Sequence, residues 1–196
     1  MSGGTPAPLL LASSSPRRLD LLRQVGVEPA RIDVPEVDET PGKRELPRAY
    51  ALRMAEAKAL AVLPRAAGHF VVAADTVVAC GRRILPKAET AEAAERCLDL
   101  LSGRRHRVYG GVCVVGPDGR RSLRVVLTQV RFKRLDVTER RHYLASGEWR
   151  GKAGGYAIQG QAAAFIPAIN GSYSNVVGLP LTETLAMLTG LGWRRG

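Results

Sequence analysis

The chain has 196 residues, 45% of them apolar and 24% charged, and carries a formal net charge of +11. That length and balance fit one globular domain, or one domain of two lobes, with enough chain to bury a core. No run of about 18 apolar residues occurs, so no membrane span is expected, and the N-terminus lacks the basic and apolar regions of a secretory signal. Cys80, Cys97 and Cys113 are odd in number and widely spaced without a C-x-x-C, which predicts a reduced, cytoplasmic protein. His69, His106 and His142 are scattered, which argues against a zinc site. The charge invites a nucleic-acid partner, but 24 of the 29 basic residues are arginines spread along the chain, and aromatics make up only 5%. With no block of like charges and few stacking platforms, a solvated arginine-rich surface is the better account. The five lysines, Lys43, Lys58, Lys87, Lys133 and Lys152, stand out against that background.

Residues 1–8 read as a flexible tail, and residues 9–196 as a single domain. Leu9-Leu10-Leu11-Ala12 is a short apolar run that fits a buried strand. Ser13-Ser14-Ser15 breaks it, and Pro16 follows behind a serine able to cap a helix. Leu19, Leu22 and Gly26 then fit a helix that buries one side and stops at the glycine. A helix N-terminus presents unpaired N–H groups and positive partial charge. Three hydroxyls and the guanidinium groups of Arg17 and Arg18 are added to it here, which makes an anion site with phosphate as its natural ligand.

Arg31 to Val34 predicts a short strand, and Pro35 to Gly42 an acidic loop bounded by prolines. That loop is either a solvated turn or a place where Asp38 or Glu39 faces the phosphate site and holds a cation. Pro47 to Leu63 is an alanine-rich helix. Lys58 within it either snorkels to solvent or points across a cleft. Phe70 to Ala79 is the strongest strand signal, and Asp75 interrupts it. A carboxylate there is costly unless paired, hydrogen-bonded or ligating a metal. Asp75 is therefore the best candidate for chemistry, the alternative being a cap on a turn.

Gly81-Arg82-Arg83 reads as a hairpin-like turn, and Ala91 to Leu101 as a helix closed by Ser102-Gly103. His106 to Val115 and Ser122 to Leu135 predict two long strands around a turn at Gly116-Pro117-Asp118-Gly119. Val137 to Ser146 reads as a helix ended by Gly147. The glycine-rich stretch Glu148 to Gly160 carries Lys152, Tyr156 and Gln159. Ala163 to Ile169 predicts a strand, Asn170 to Asn175 a polar turn, and Pro180 to Leu191 the last helix. No P-loop, dinucleotide fingerprint or G-x-S-x-G elbow is present, so the serines are poor nucleophiles and phosphate chemistry here would use water and a metal.

Taken together, the motifs resemble the Maf family of nucleoside triphosphate pyrophosphatases. The likeness rests on Ser13-x-Ser15-Pro16-Arg17-Arg18, Val37-Asp38-Glu39, Lys58-Ala59, Ala74-Asp75-Thr76-Val77-Val78 and Leu101-Ser102-Gly103-Arg104-x-His106. It continues with Gly147-Glu148, Lys152-Ala153-Gly154, Tyr156-Ala157-Ile158-Gln159-Gly160 and Asn170 to Pro180. The resemblance implies an α/β fold in which an elongated mixed sheet, flanked by helices, forms two lobes around a nucleotide cleft, as a homodimer. It implies hydrolysis of the α–β phosphoanhydride of a nucleoside triphosphate, with Mg²⁺ or Mn²⁺ as cofactor. Asp75 falls at the family's catalytic base and, with Glu39, at its metal site. Ser13, Ser15, Arg18, Lys58 and Lys87 fall on the phosphate side. Arg17, Thr76 and Gln159 fall where the family sets its base preference. Asp75-Thr76 marks the branch associated with dTTP and UTP, whereas a sister branch with Asp-Gln is associated with 7-methyl-GTP. A modified nucleotide remains the alternative substrate, and a basic regulatory or nucleic-acid-binding protein the alternative class. Two departures stand out: Pro86-Lys87-Ala88 replaces the usual Gly-Lys-Pro, and Gly110-Gly111 replaces Thr-Gly.

Overall fold

The structure, a computed structural model, describes residues 7–195. In chain order the elements are β1 (Leu9–Ala12), α1 (Pro16–Gln24), β2 (Arg31–Asp33), α2 (Pro47–Val62) and β3 (Phe70–Cys80). There follow β4 (Arg83–Leu85), β5 (Lys87–Ala88), α3 (Ala91–Leu101), β6 (Arg105–Val115) and β7 (Arg121–Arg131). The last elements are α4 (Val137–Ser146), β8 (Lys152–Ala153), β9 (Ala168–Asn170), α5 (Tyr173–Val177) and α6 (Leu181–Gly190). The main sheet runs β2-β1-β3-β6-β7-β9, with β4 paired to β3, and a small second sheet joins β5 to β8. β1 lies parallel to β2 and β3, whereas β3, β6, β7 and β9 pair antiparallel, so the sheet is mixed. Among the described residues, no helix is long and apolar enough to cross a membrane.

All four residues of β1 are buried, the pattern of a parallel strand covered on both faces. Leu9 and Leu11 face one apolar layer with Leu22, Leu98, Phe132 and Leu188, and Leu10 and Ala12 face another with Ala55, Ala59 and Val62 of α2. The alanines of α2 have a specific purpose. A Cβ on Gly111 of β6 would lie 2.0 Å from the Ala51 carbonyl oxygen, so the helix rides directly on the sheet, where only small residues fit. Gly110 is equally close-packed: a Cβ there would meet Asn175 Oδ1 at 1.8 Å. Buried Asn175 fills that space and donates to Val126 O and Thr128 Oγ1.

Four local expectations are corrected. The stretch Ala163 to Ile169 is not one strand: Gln161–Phe165 is a 3₁₀ turn, and the strand is only Ala168–Asn170. Pro167 lacks an N–H and fixes φ, while Ala162 and Phe165 bury at the three-residue spacing of a 3₁₀ helix. The polar turn Asn170 to Asn175 runs into α5, which Ser172 caps by accepting from the Asn175 N–H. The strand expected over Ser122 to Leu135 stops at Arg131. Ser15 does occupy the N-cap of α1, but its side chain makes no capping bond. As for the expected N-terminal tail, residues 1–6 lie outside the described residues, and Pro8 O already accepts from the Phe70 N–H.

Candidate active site

β1, β3 and α1 meet where the chain leaves β1 through Ser13-Ser14-Ser15. Ser13 is buried, and its Oγ accepts from the Ser15 N–H at 3.1 Å and from Arg18 Nη1 at 3.0 Å. Arg18 also donates from Nε to Gly178 O at 2.9 Å and from Nη2 to Thr76 Oγ1 at 3.3 Å. One guanidinium therefore joins the start of α1, the middle of β3 and the turn after α5. Arg17 donates to Val177 O at 3.3 Å. Burial lowers the pKa of both arginines from the ordinary value, yet both remain cationic near neutrality. No acidic residue occupies the first turn of α1, so its N-terminal partial charge is left for a ligand.

Asp75 is 5% exposed, and the cost of burying it is met by Lys58, itself 6% exposed. Lys58 Nζ lies 2.6 Å from Asp75 Oδ1 and 2.7 Å from Glu39 Oε1. The lysine thus does not snorkel; it crosses to the cleft. Lys87 Nζ pairs with the second Glu39 oxygen, giving a line of alternating charge, Asp75–Lys58–Glu39–Lys87. Burial pushes the Glu39 carboxyl up, but hydrogen bonds from Lys58 and Lys87, and their charges, hold it down at about 2. Asp38, the other acid of the loop, is exposed and accepts from the Thr40 N–H.

Pro86 and Ala88 do not prevent Lys87 from reaching this line. Proline removes a donor, but it is the Pro86 carbonyl that is used, accepting from the Gly154 N–H at 3.0 Å, while Ala88 O accepts from the Gly151 N–H at 2.9 Å. With Lys87 opposite Ala153, the β5–β8 pair is the frame of that wall. Lys152 stands beside it, its Nζ donating to Arg150 O at 3.1 Å. Burial, followed by the nearby charge of Arg17, lowers its pKa. Tyr156 closes the back of the cleft, with His106 Nε2 2.8 Å from its hydroxyl oxygen.

These groups line one cleft of about 290 Å³. Ser13, Ser15, Arg17, Arg18, Glu39, Lys58, Asp75, Thr76, Lys87 and Gln159 all border it, so the residues that the resemblance assigned to the site arrive at the same place, and of the two loop acids it is Glu39 and not Asp38 that does so. Arg150 borders it too and was missed. Its guanidinium lies 5.0 Å from the centre of the Trp149 ring, and the adjacent Trp-Arg pair was the only signal in an arginine-rich chain. Six basic side chains, Arg17, Arg18, Lys58, Lys87, Arg150 and Lys152, face two acidic ones, Glu39 and Asp75. The surplus is four positive charges, the complement of a polyphosphate rather than of a neutral ligand. Among the described residues, no group of three or more His, Cys, Asp or Glu is placed to hold a metal by itself.

The chain has close relatives of known name. A family model described as Maf-like protein matches residues 8–191. The dTTP/UTP pyrophosphatase of Paramagnetospirillum magneticum is 63% identical over 187 residues, covering 95% of this chain and 98% of that protein. That of Rhodospirillum rubrum is 62% identical, over 96% of this chain and 90% of that protein. That of Caulobacter vibrioides is 61% identical, over 95% and 96%.

Proposed function

The chain belongs to the Maf family, and from that premise we propose that it hydrolyses the α–β phosphoanhydride of dTTP and UTP to the monophosphate and pyrophosphate. The observation that carries the reading is a buried carboxylate, Asp75, set in a cleft with a surplus of four positive charges. A nucleoside triphosphate carries about four negative charges, so the cleft offsets its desolvation. Phosphoryl transfer asks a protein chiefly for positioning and electrostatic stabilisation.

Arg18, Ser13, Ser15 and the N-terminus of α1 receive phosphate oxygens on one side, and Lys58 and Lys87 receive them on the other. Asp75 spends Oδ1 on Lys58, which leaves Oδ2 for the chemistry. That oxygen takes the proton of the attacking water as general base. Arg17, Thr76 and Gln159 bound the part of the cleft left for the base, and a pyrimidine edge offers two carbonyls and an N3–H to such donors and acceptors.

A divalent cation fits this donor set. Glu39 and Asp75 already aim one oxygen each at a single cationic point, the Lys58 ammonium, at 2.7 and 2.6 Å. Mg²⁺ is commonly held by one or two carboxylates with substrate phosphates completing its shell. Glu39 and Asp75 would hold it, and it would neutralise charge on the phosphates when bound. The test is a panel of canonical and modified triphosphates with Mg²⁺ or Mn²⁺ and identification of the products. Monophosphate and pyrophosphate from UTP and dTTP are expected; orthophosphate with diphosphate as first products would refute the cleavage site.

A further inference from the structure

Glu39 gathers two lysines from two different elements, yet it lies in the loop between β2 and α2, where no ladder holds the backbone. Loop carbonyls must find donors elsewhere, and here α2 supplies them. Tyr50 Oη donates to Glu39 O at 2.6 Å, and Arg53 Nη2 donates to Thr40 O at 3.2 Å. Tyr50 and Arg53 are three residues apart and therefore share a helix face, and the guanidinium lies 5.4 Å from the centre of the tyrosine ring. The same guanidinium takes Glu45 in a two-pronged pair, Nε to Oε1 at 2.8 Å and Nη2 to Oε2 at 2.7 Å. Glu45 Oε2 in turn accepts from the Gly42 N–H at 2.8 Å.

The grip therefore spans residues 39 to 45. Within it, Arg44 adopts φ 58°, a left-handed conformation that a residue with a Cβ keeps only when its surroundings impose it. Farther along α2, Lys58 holds the Glu39 carboxylate. A single rigid helix thus fixes Glu39 at both ends, its carbonyl through Tyr50 and its carboxylate through Lys58, eight residues or about 12 Å apart along the axis.

We infer that Tyr50, supported by Arg53, is a positioning residue whose hydroxyl holds Glu39 in place to set Lys58 and Lys87 for the phosphates. This rests on the reading that Glu39 belongs to the phosphate and metal side of the site. Tyr50→Phe removes the hydroxyl and keeps the ring. The experiment is a double-mutant cycle of Tyr50→Phe and Glu39→Gln, read as the single-turnover rate of UTP cleavage with enzyme in excess, together with amide exchange across residues 38–45. Tyr50→Phe should slow cleavage by about 5–20-fold and speed exchange in that segment, while the double variant should be within about twofold of Glu39→Gln alone. A merely structural tyrosine would leave the two effects multiplying. Multiplying effects, or a Tyr50→Phe protein at the wild-type rate, would overturn the inference while leaving the proposed function standing. A Glu39→Gln protein at the wild-type rate would instead refute the assignment of Glu39, and the inference with it. If Tyr50→Phe fails to fold, Arg53→Lys, which gives up the planar two-pronged grip, enters the same cycle under the same criterion.

Discussion

Asp75→Asn separates chemistry from architecture. The side chains of Asp75 and Lys58 are each only 7% exposed, and removing one partner of a buried pair typically costs about 3–5 kcal/mol. Two features of this site reduce that figure. Glu39 remains 2.7 Å from the ammonium, so the lysine keeps an opposite charge, and the new amide oxygen can still accept from Nζ. A loss of about 1–2 kcal/mol is left, which for a chain of this size lowers the melting temperature by roughly 2–8 °C. The rate should change much more. Without a general base, cleavage should slow by about 10²–10⁴-fold, or about 3–5.5 kcal/mol of barrier. Melting temperature and single-turnover rate of UTP cleavage are measured on the same preparation. A protein that melts several degrees lower yet cleaves UTP at the wild-type rate would refute the reasoning, because Asp75 would then be only Lys58's structural partner.

Two other outcomes follow from buried groups elsewhere. Burial lowers His106 from 6.5 to about 4, so below pH 6.5 the unfolded chain binds a proton that the folded one refuses, and stability falls as pH drops toward 4. By pH 5 the loss is about 2 kcal/mol; urea unfolding at pH 7.5 and 5 should show it in the wild type but not in His106→Gln, and equal losses in both would remove His106 as the cause. Gly111→Ala puts a Cβ 2.0 Å from the Ala51 carbonyl oxygen, so α2 must shift at a cost of about 1–3 kcal/mol. UTP cleavage should fall too, since α2 carries Lys58, whereas Gly190→Ala, with nothing within 4 Å of the new Cβ, should leave both unchanged; an unperturbed Gly111→Ala protein would contradict the tight helix–sheet contact.

Most of the site was legible because its residues break local rules. Asp75 stands in an apolar run, Ser13 to Arg18 load a helix start with hydroxyls and charge, and lysines are rare among arginines. What could not be read were the pairings. Whether Lys58 snorkels or crosses depends on Glu39 and Asp75, which lie 19 residues before it and 17 after, and only the packed fold brings the three together. Arg150 was hidden by its abundance. The strand expected at Ala163 to Ile169 failed on Pro167, whose missing N–H outweighed the apolar run. The contact between Gly110 and Asn175 could not be read either, since the two lie 65 residues apart and meet only in the packed fold.

The cleft draws its walls from Ser13 at one end of the chain to Gly178 near the other, so the site is complete only once distant segments of the chain have come together. The β6–β7 ribbon is a local hairpin, whereas β1 finds its partner β3 only after a long excursion through α2, and contacts between distant residues form late because their loops are costly to close. No fragment that lacks the last third of the chain holds the complete anion site. Nucleotide binding is therefore a signature of the finished fold, and it reinforces that fold as a whole. A triphosphate at 100 times its Kd would add about 2.7 kcal/mol to global stability, so bound nucleotide would shift the unfolding equilibrium of the whole chain rather than of one segment.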